Sequence, residues 1–124
     1  MILFINTSDK EKIYLRLERR VGQKKETVSR LSLTAPRRQS EKLLPAIQKL
    51  MGKSRVSLED LSEIRVAASG GSFTALRIGI ATANALAYAL KIPVYPIGQE
   101  KTIKKSRGLQ IVSPTYDREP NIGA

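Results

Sequence analysis

Cysteine, histidine and tryptophan are all missing from this chain of 124 residues. Without cysteine there are no disulfides, thiolate nucleophiles or thiolate metal sites, and without histidine there is neither an imidazole general base nor the common nitrogen ligand of zinc. A nucleophilic serine therefore lacks its usual activating base. Aromatic residues are sparse, four Tyr and two Phe, and none is interleaved with the basic runs as stacking on single-stranded bases requires. Acidic residues are outnumbered: 11 Asp and Glu stand against 22 Lys and Arg, a formal net charge of +11. The most apolar stretch, Ile78 to Leu90, is bounded by Arg77 and Lys91 and falls short of the roughly 20 residues that cross a bilayer. Met1 to Ile5 runs directly into Asn6-Thr7-Ser8-Asp9, with no basic segment before an apolar core. These features predict a cytoplasmic protein with no membrane contact.

A chain of this length suits one domain with a modest core and leaves no room for two lobes around a cleft. Its positive charge predicts a polyanion nearby. Lys10, Lys12, Arg16, Arg19, Arg20, Lys24, Lys25 and Arg30 fall near the beginning, and Lys101, Lys104, Lys105 and Arg107 form a second cluster, the candidate RNA contact. The competing reading of both clusters is a set of solvated hairpin and loop faces.

Met1 to Asn6 reads as a first strand, Ile13 to Arg19 alternates with period two as a second, and Thr27 to Leu33 as a third. Short turns join them, which gives an antiparallel meander. Leu43, Ile47, Leu50 and Met51 then recur at helical spacing between Ser40, as amino cap, and Gly52. Pro45 predicts a late start near Leu44 or a bend. Ser57-Leu58-Glu59-Asp60 has the form of a capping box, and Ile64 to Ala68 reads as a short buried strand. Ser69-Gly70-Gly71 then turns the chain into a helix from Ser72 to Leu90, and Pro93 to Gly98 gives a fifth strand. The order predicts an α/β fold with a mixed five-stranded sheet flanked by helices, the last strand pairs parallel.

The long helix is apolar almost all the way round, with Phe73, Leu76, Ile78, Ile80, Leu86 and Leu90 pointing in several directions. One face can pack on a sheet and another calls for a partner. Ala75, Gly79 and Ala83 form a ridge of small residues along which a second backbone can approach. The glycines before the helix suit an anion cradle in principle, but the Lys-Ser or Lys-Thr pair of a P-loop is replaced by Ser72-Phe73, so a tight turn is the better reading. A two-metal site calls for a carboxylate at the end of the first strand, where Asn6 stands. Glu59, Asp60 and Glu63 read as a solvated acidic cap. No catalytic, cofactor-binding or metal residue is therefore predicted.

Three stretches resemble the TsaB family, also called YeaZ, the non-catalytic partner in bacterial synthesis of threonylcarbamoyladenosine in tRNA. Met1-Ile2-Leu3-Phe4-Ile5-Asn6-Thr7-Ser8 resembles the family's opening strand, which usually ends Asp-Thr-Ser. Ser40-Glu41-Lys42-Leu43-Leu44-Pro45-Ala46-Ile47 resembles its first helix, usually preceded by histidine where Gln39 stands here. Ser69-Gly70-Gly71-Ser72-Phe73-Thr74-Ala75-Leu76-Arg77-Ile78-Gly79 resembles the most specific motif, normally Gly-Pro-Gly-Ser-Phe-Thr-Gly-Leu-Arg-Ile-Gly. The resemblance covers residues 1 to about 98 and resumes at Pro114-Thr115-Tyr116-Asp117-Arg118-Glu119-Pro120, which is similar to the family's carboxyl terminus.

The resemblance implies a single actin-like ATPase lobe of ribonuclease H-like topology over residues 1–98, followed by a basic linker and tail over 99–124. It implies a shortened form in which residues 99 to 112 replace the family's second domain. It also implies a scaffold, not an enzyme, that pairs with TsaD or with itself through the helices at 40–51 and 72–90, with TsaE as a candidate further partner and tRNA met indirectly or through the basic patches. The candidate interface is Leu43, Leu44, Ile47, Phe73, Ala75, Leu76, Arg77, Gly79, Ile80 and Ala83. Asn6, Gln39 and Ser69-Gly70 depart from the family pattern and weaken a degenerate ATPase or nuclease reading. The principal alternative is a nucleic-acid-binding module on the same ribonuclease H-like fold.

Overall fold

The apolar run at the amino terminus becomes the middle of a sheet. In the computed structural model, which describes residues 1–98, strand β1 (Ile2–Asn6) lies between β2 (Lys12–Val21) and β4 (Glu63–Val66), with β3 (Lys24–Thr34) and β5 (Val94–Pro96) at the two edges. The β1–β2 and β2–β3 pairs are antiparallel, and the β1–β4 and β4–β5 pairs are parallel. Helix α1 (Gln39–Lys53) carries the chain from β3 to β4, and α2 (Phe73–Leu90) from β4 to β5.

Strand register sorts the side chains into two faces. Leu3 lies opposite Leu17 and Ile64, and Ile5 opposite Leu15 and Val66. These residues share one core with Leu43, Ile47 and Leu50 of α1 and Leu76, Ile80 and Ala83 of α2, so both helices cover the same side of the sheet. Leu3, Ile5, Ile64 and Leu76 are completely covered, each such side chain contributing roughly 1.5–3 kcal/mol relative to exposure. The other side carries Phe4 opposite Arg16 and Arg65, and Asn6 opposite Tyr14. No helix among the described residues covers it.

The meander, the parallel pairs and the five-stranded mixed sheet agree with the sequence reading; several boundaries do not. The β2–β3 hairpin is longer at both ends than Ile13–Arg19 and Thr27–Leu33, because its charged tip pairs through backbone bonds that side-chain alternation does not report. Ser40 is not the amino cap of α1. The helix begins at Gln39, with Arg38 in the cap position and its amide bonded to Ala35 O at 3.0 Å. Nor does the helix wait for Leu44: it runs through Pro45. Pro45 and Glu41, whose carbonyl loses the Pro45 donor, both lie on the exposed side, where a carbonyl without its helical donor is open to solvent rather than buried unpaired. The helix continues past Gly52 to Lys53, and Arg55 takes the left-handed conformation at φ 55°.

What fixes the start of α1 is the side chain of Gln39, buried at 4% exposure. Its Nε2 donates to Asp9 O at 2.5 Å and Lys12 O at 2.9 Å, tying the helix to the β1–β2 turn. The predicted capping box forms over a single 3-10 turn, Leu58–Asp60. Asp60 Oδ2 accepts the Ser57 amide at 2.9 Å and the Ser57 hydroxyl at 3.1 Å.

Candidate functional site

The site follows from how α2 is set on the sheet. Between β4 and α2 the chain turns at Gly70, whose φ of 79° suits glycine. At Gly71 the backbone touches the β1–β2 turn so closely that an added Cβ would stand 2.6 Å from Ser8 Cβ. The Ser72 amide donates to Ser8 O at 3.0 Å, while the Ser72 hydroxyl caps the helix by accepting the Ala75 amide at 3.4 Å. Ser8 turns inward as well, its amide and hydroxyl both donating to Asn6 Oδ1, at 2.9 and 2.6 Å. The Gly-Gly-Ser turn thus serves close packing.

One turn further, fully buried Thr7 fixes the helix. Its Oγ1 donates to Ala75 O at 2.6 Å and accepts the Gly79 amide at 3.1 Å. Ala75 O and Gly79 N–H are successive partners of the helical ladder, so one hydroxyl engages both. A Cβ at residue 79 would lie 2.5 Å from that hydroxyl and 3.5 Å from Ile5 Cγ2. The small-residue ridge of Ala75, Gly79 and Ala83 therefore faces the chain's own sheet, where the sequence reading placed a second backbone. The backbone that approaches it closely is that of β1.

Of the ten predicted interface residues, Leu43, Ile47, Ala75, Leu76, Gly79, Ile80 and Ala83 are buried within the described fold. Leu44, Phe73 and Arg77 face solvent, Leu44 at 49% exposure and Phe73 at 39%. Arg77 lies over the Phe73 ring, 5.5 Å from its centroid. The outward side of α2 continues beyond them through Ala81 and Ala85 to Tyr88, which is 72% exposed. Phe73, Arg77, Ala81, Ala85 and Tyr88 recur at helical spacing and form a stripe whose only charge is Arg77. Sequence reasoning missed Ala81, Ala85 and Tyr88; the signal was that Tyr88 follows Phe73, Arg77, Ala81 and Ala85 at helical spacing. Lys101, Lys104, Lys105 and Arg107, and the whole unit 99–124, lie outside the described residues.

The helix itself has 18 residues with a mean hydropathy of 1.3, enough by length and composition to cross a membrane and longer than the apolar stretch read from the sequence. Here Ala75, Leu76, Gly79, Ile80, Ala83 and Ala87 pack inside the protein, as in the core helix of a sheet-based fold. It ends at Lys91, left-handed at φ 58°, with the Ile92 amide closing on Ala87 O at 3.0 Å.

Residues 33–111, well over half of the chain, match the family model described as TsaD: tRNA N6-adenosine threonylcarbamoyltransferase. The tRNA threonylcarbamoyladenosine biosynthesis protein TsaB of Buchnera aphidicola subsp. Schizaphis graminum is 34% identical over 74 residues, covering 60% of this chain and 35% of that relative. TsaB of Bacillus subtilis is also 34% identical, over 80 residues, covering 63% of this chain and 35% of its own length. Among solved structures, YeaZ from Pseudomonas aeruginosa superposes with a TM-score of 0.66 at 26% identity, covering 77% of this chain and 42% of that one. The chain spans about a third of the length of these curated relatives. The matched fold is an actin-like, ribonuclease H-like lobe. On the family model, the sequence relatives and the shared fold together, this chain belongs to the TsaB/YeaZ family.

Proposed function

We propose that this chain is a non-catalytic scaffold subunit that pairs with TsaD in the transfer of a threonylcarbamoyl group to adenosine of tRNA, residues 1–98 being the lobe that presents the docking helices. The observation that carries this reading is the outward stripe of α2. Ala81 and Ala85 make its centre small enough for another helix to approach closely, and Phe73 and Tyr88 flank them as aromatic anchors. Arg77, stacked on Phe73, adds a donor fork beside the apolar surface. The buried members of the predicted set act behind this surface, holding α2 at a fixed height on the sheet.

A second copy of the chain would use the same stripe in an isologous pair, so self-association and TsaD binding compete. The absence of histidine and cysteine, with Asn6 in place of a strand-end carboxylate, supports a role without chemistry of its own. Calorimetric titration of TsaD from the same organism with wild-type chain and with Ala81→Glu tests the proposal. Saturable one-to-one binding by wild type and its loss in the variant is the expected result; equal binding by both moves the interface elsewhere.

A further inference from the structure

The side of the sheet away from the helices carries a groove of about 480 Å³ whose walls include Phe4, Tyr14, Arg16, Arg30, Ser32 and Ile97. Four separate segments contribute, and only strand register brings them together. Arg16 lies over the Phe4 ring at 4.1 Å from its centroid, and Arg65 lies over the same ring at 5.6 Å. Tyr14 and Ile97, at 40% and 39% exposure, offer accessible apolar surface beside these cations.

The charges on this face do not balance. Glu18 meets Arg16 at 3.4 Å, and Glu63 takes both Arg65 at 2.6 Å and Arg20 at 3.9 Å. Arg30 has no carboxylate partner among the described residues and stands directly opposite Arg16 on the neighbouring strand, a like-charge pairing in which Glu18 answers Arg16 alone and leaves Arg30 unmatched. Arg16 Nε and Glu18 Oε2 are both buried without a hydrogen-bond partner among the described residues, so the charge left over on this face is that of Arg30. Guanidinium groups next to a tyrosine ring, with the amide of Asn6 and the hydroxyl of Ser32 in the same groove, match a ligand that alternates phosphate with a flat ring. An acidic peptide satisfies the arginines but leaves the exposed ring without a flat partner.

We infer that this sheet face, which no helix among the described residues covers, binds single-stranded RNA, with Arg16 and Arg30 on phosphate and Tyr14 beneath a base. Same-face neighbours along a strand are about 7 Å apart, which places Tyr14 and Arg16 to engage one strand of nucleic acid. The inference goes beyond the proposed pairing with TsaD and does not rest on it, since the groove and the α2 stripe occupy opposite sides of the sheet.

The test is fluorescence anisotropy of a labelled, unstructured, short oligoribonucleotide titrated with the full chain alone across a salt series. Arg30→Ala should lower the slope of log affinity against log salt by about 0.7, the value for one lost single-strand phosphate contact. Tyr14→Ala should weaken binding about tenfold while leaving that slope unchanged, as for the loss of one stacked base. Lys24→Ala, at the hairpin tip and outside the groove, should do neither. Circular dichroism and thermal melting confirm that each variant is folded. Equal losses in all three variants, no loss in either groove variant, or displacement of the RNA by an acidic peptide at equal charge concentration would overturn the assignment.

Discussion

Thr7 and Gly79 are locked together: the hydroxyl of one accepts the amide of the other at 3.1 Å, in a space too small for any side chain at residue 79. That contact sets the depth of α2 against β1. It thereby decides which residues of the helix belong to the core and which remain for a partner.

Gly79→Ala is expected to destabilise the fold by about 1–3 kcal/mol, the usual cost of overpacking a closed site, because the new methyl meets Thr7 Oγ1 at 2.5 Å. Larger residues at this position should unfold the chain rather than block association selectively. Thr7→Val removes both bonds of the hydroxyl and should cost about 1–3 kcal/mol, whereas Thr7→Ser keeps them and should cost less. Urea denaturation of the three variants checks the order.

How much of this was legible depended on the element. Ile13 to Arg19 alternates so regularly that only a half-buried strand fits, and Ser72 before an apolar run announces a capped helix, so the meander and both helices were readable. Which side of α2 faces inward was not. Ala75 and Ala83 are buried while Ala81 and Ala85 are exposed, and nothing in a sequence of alternating small and aliphatic residues separates those pairs. The tight contact to Thr7 distinguishes them, and it is made with a residue far away along the chain. The groove was legible only at Tyr14, which lies between Lys12 and Arg16 on one strand; Phe4, Arg30 and Ile97 come from other strands and strand ends, and strand pairing alone brings them beside it.

Gln39 holds the β1–β2 turn through two carbonyls, those of Asp9 and Lys12. Gln39→Leu leaves both acceptors without their donor and should lower stability by about 1–3 kcal/mol. Gln39→His should recover part of the loss, since one ring N–H can reach one of the two carbonyls. Thermal melts of the pair against wild type give the comparison.

Asp60 provides a pH-dependent contribution. The Ser57 amide, and after it the Ser57 hydroxyl, hold its carboxyl below the usual carboxylate range. A depressed pKa in the folded state means that the carboxylate stabilises the fold above its unfolded pKa of about 3.9 and that this stabilisation is lost as pH falls through the folded value. Asp60→Ala should therefore melt below wild type at neutral pH, and the gap should close on acidification below about pH 4. A gap that stays constant across that range would contradict this role for the carboxylate.

Tyr88→Ala tests the aromatic end of the α2 stripe. At 72% exposure the residue has little to lose on truncation, so folding stability should stay within about 0.5 kcal/mol of wild type. Affinity for the partner should fall by about tenfold or more, as for an aromatic anchor. Calorimetric binding and melting of the same preparation separate the two effects.

The most direct measurement is the molar mass of the purified chain by light scattering, alone and mixed with TsaD from the same organism, for wild type and Ala81→Glu. The account predicts a one-to-one complex that forms at the expense of any self-association, with both assemblies lost in the variant. A chain whose mass is indifferent to TsaD, or a complex that survives a carboxylate in the middle of the stripe, would contradict it.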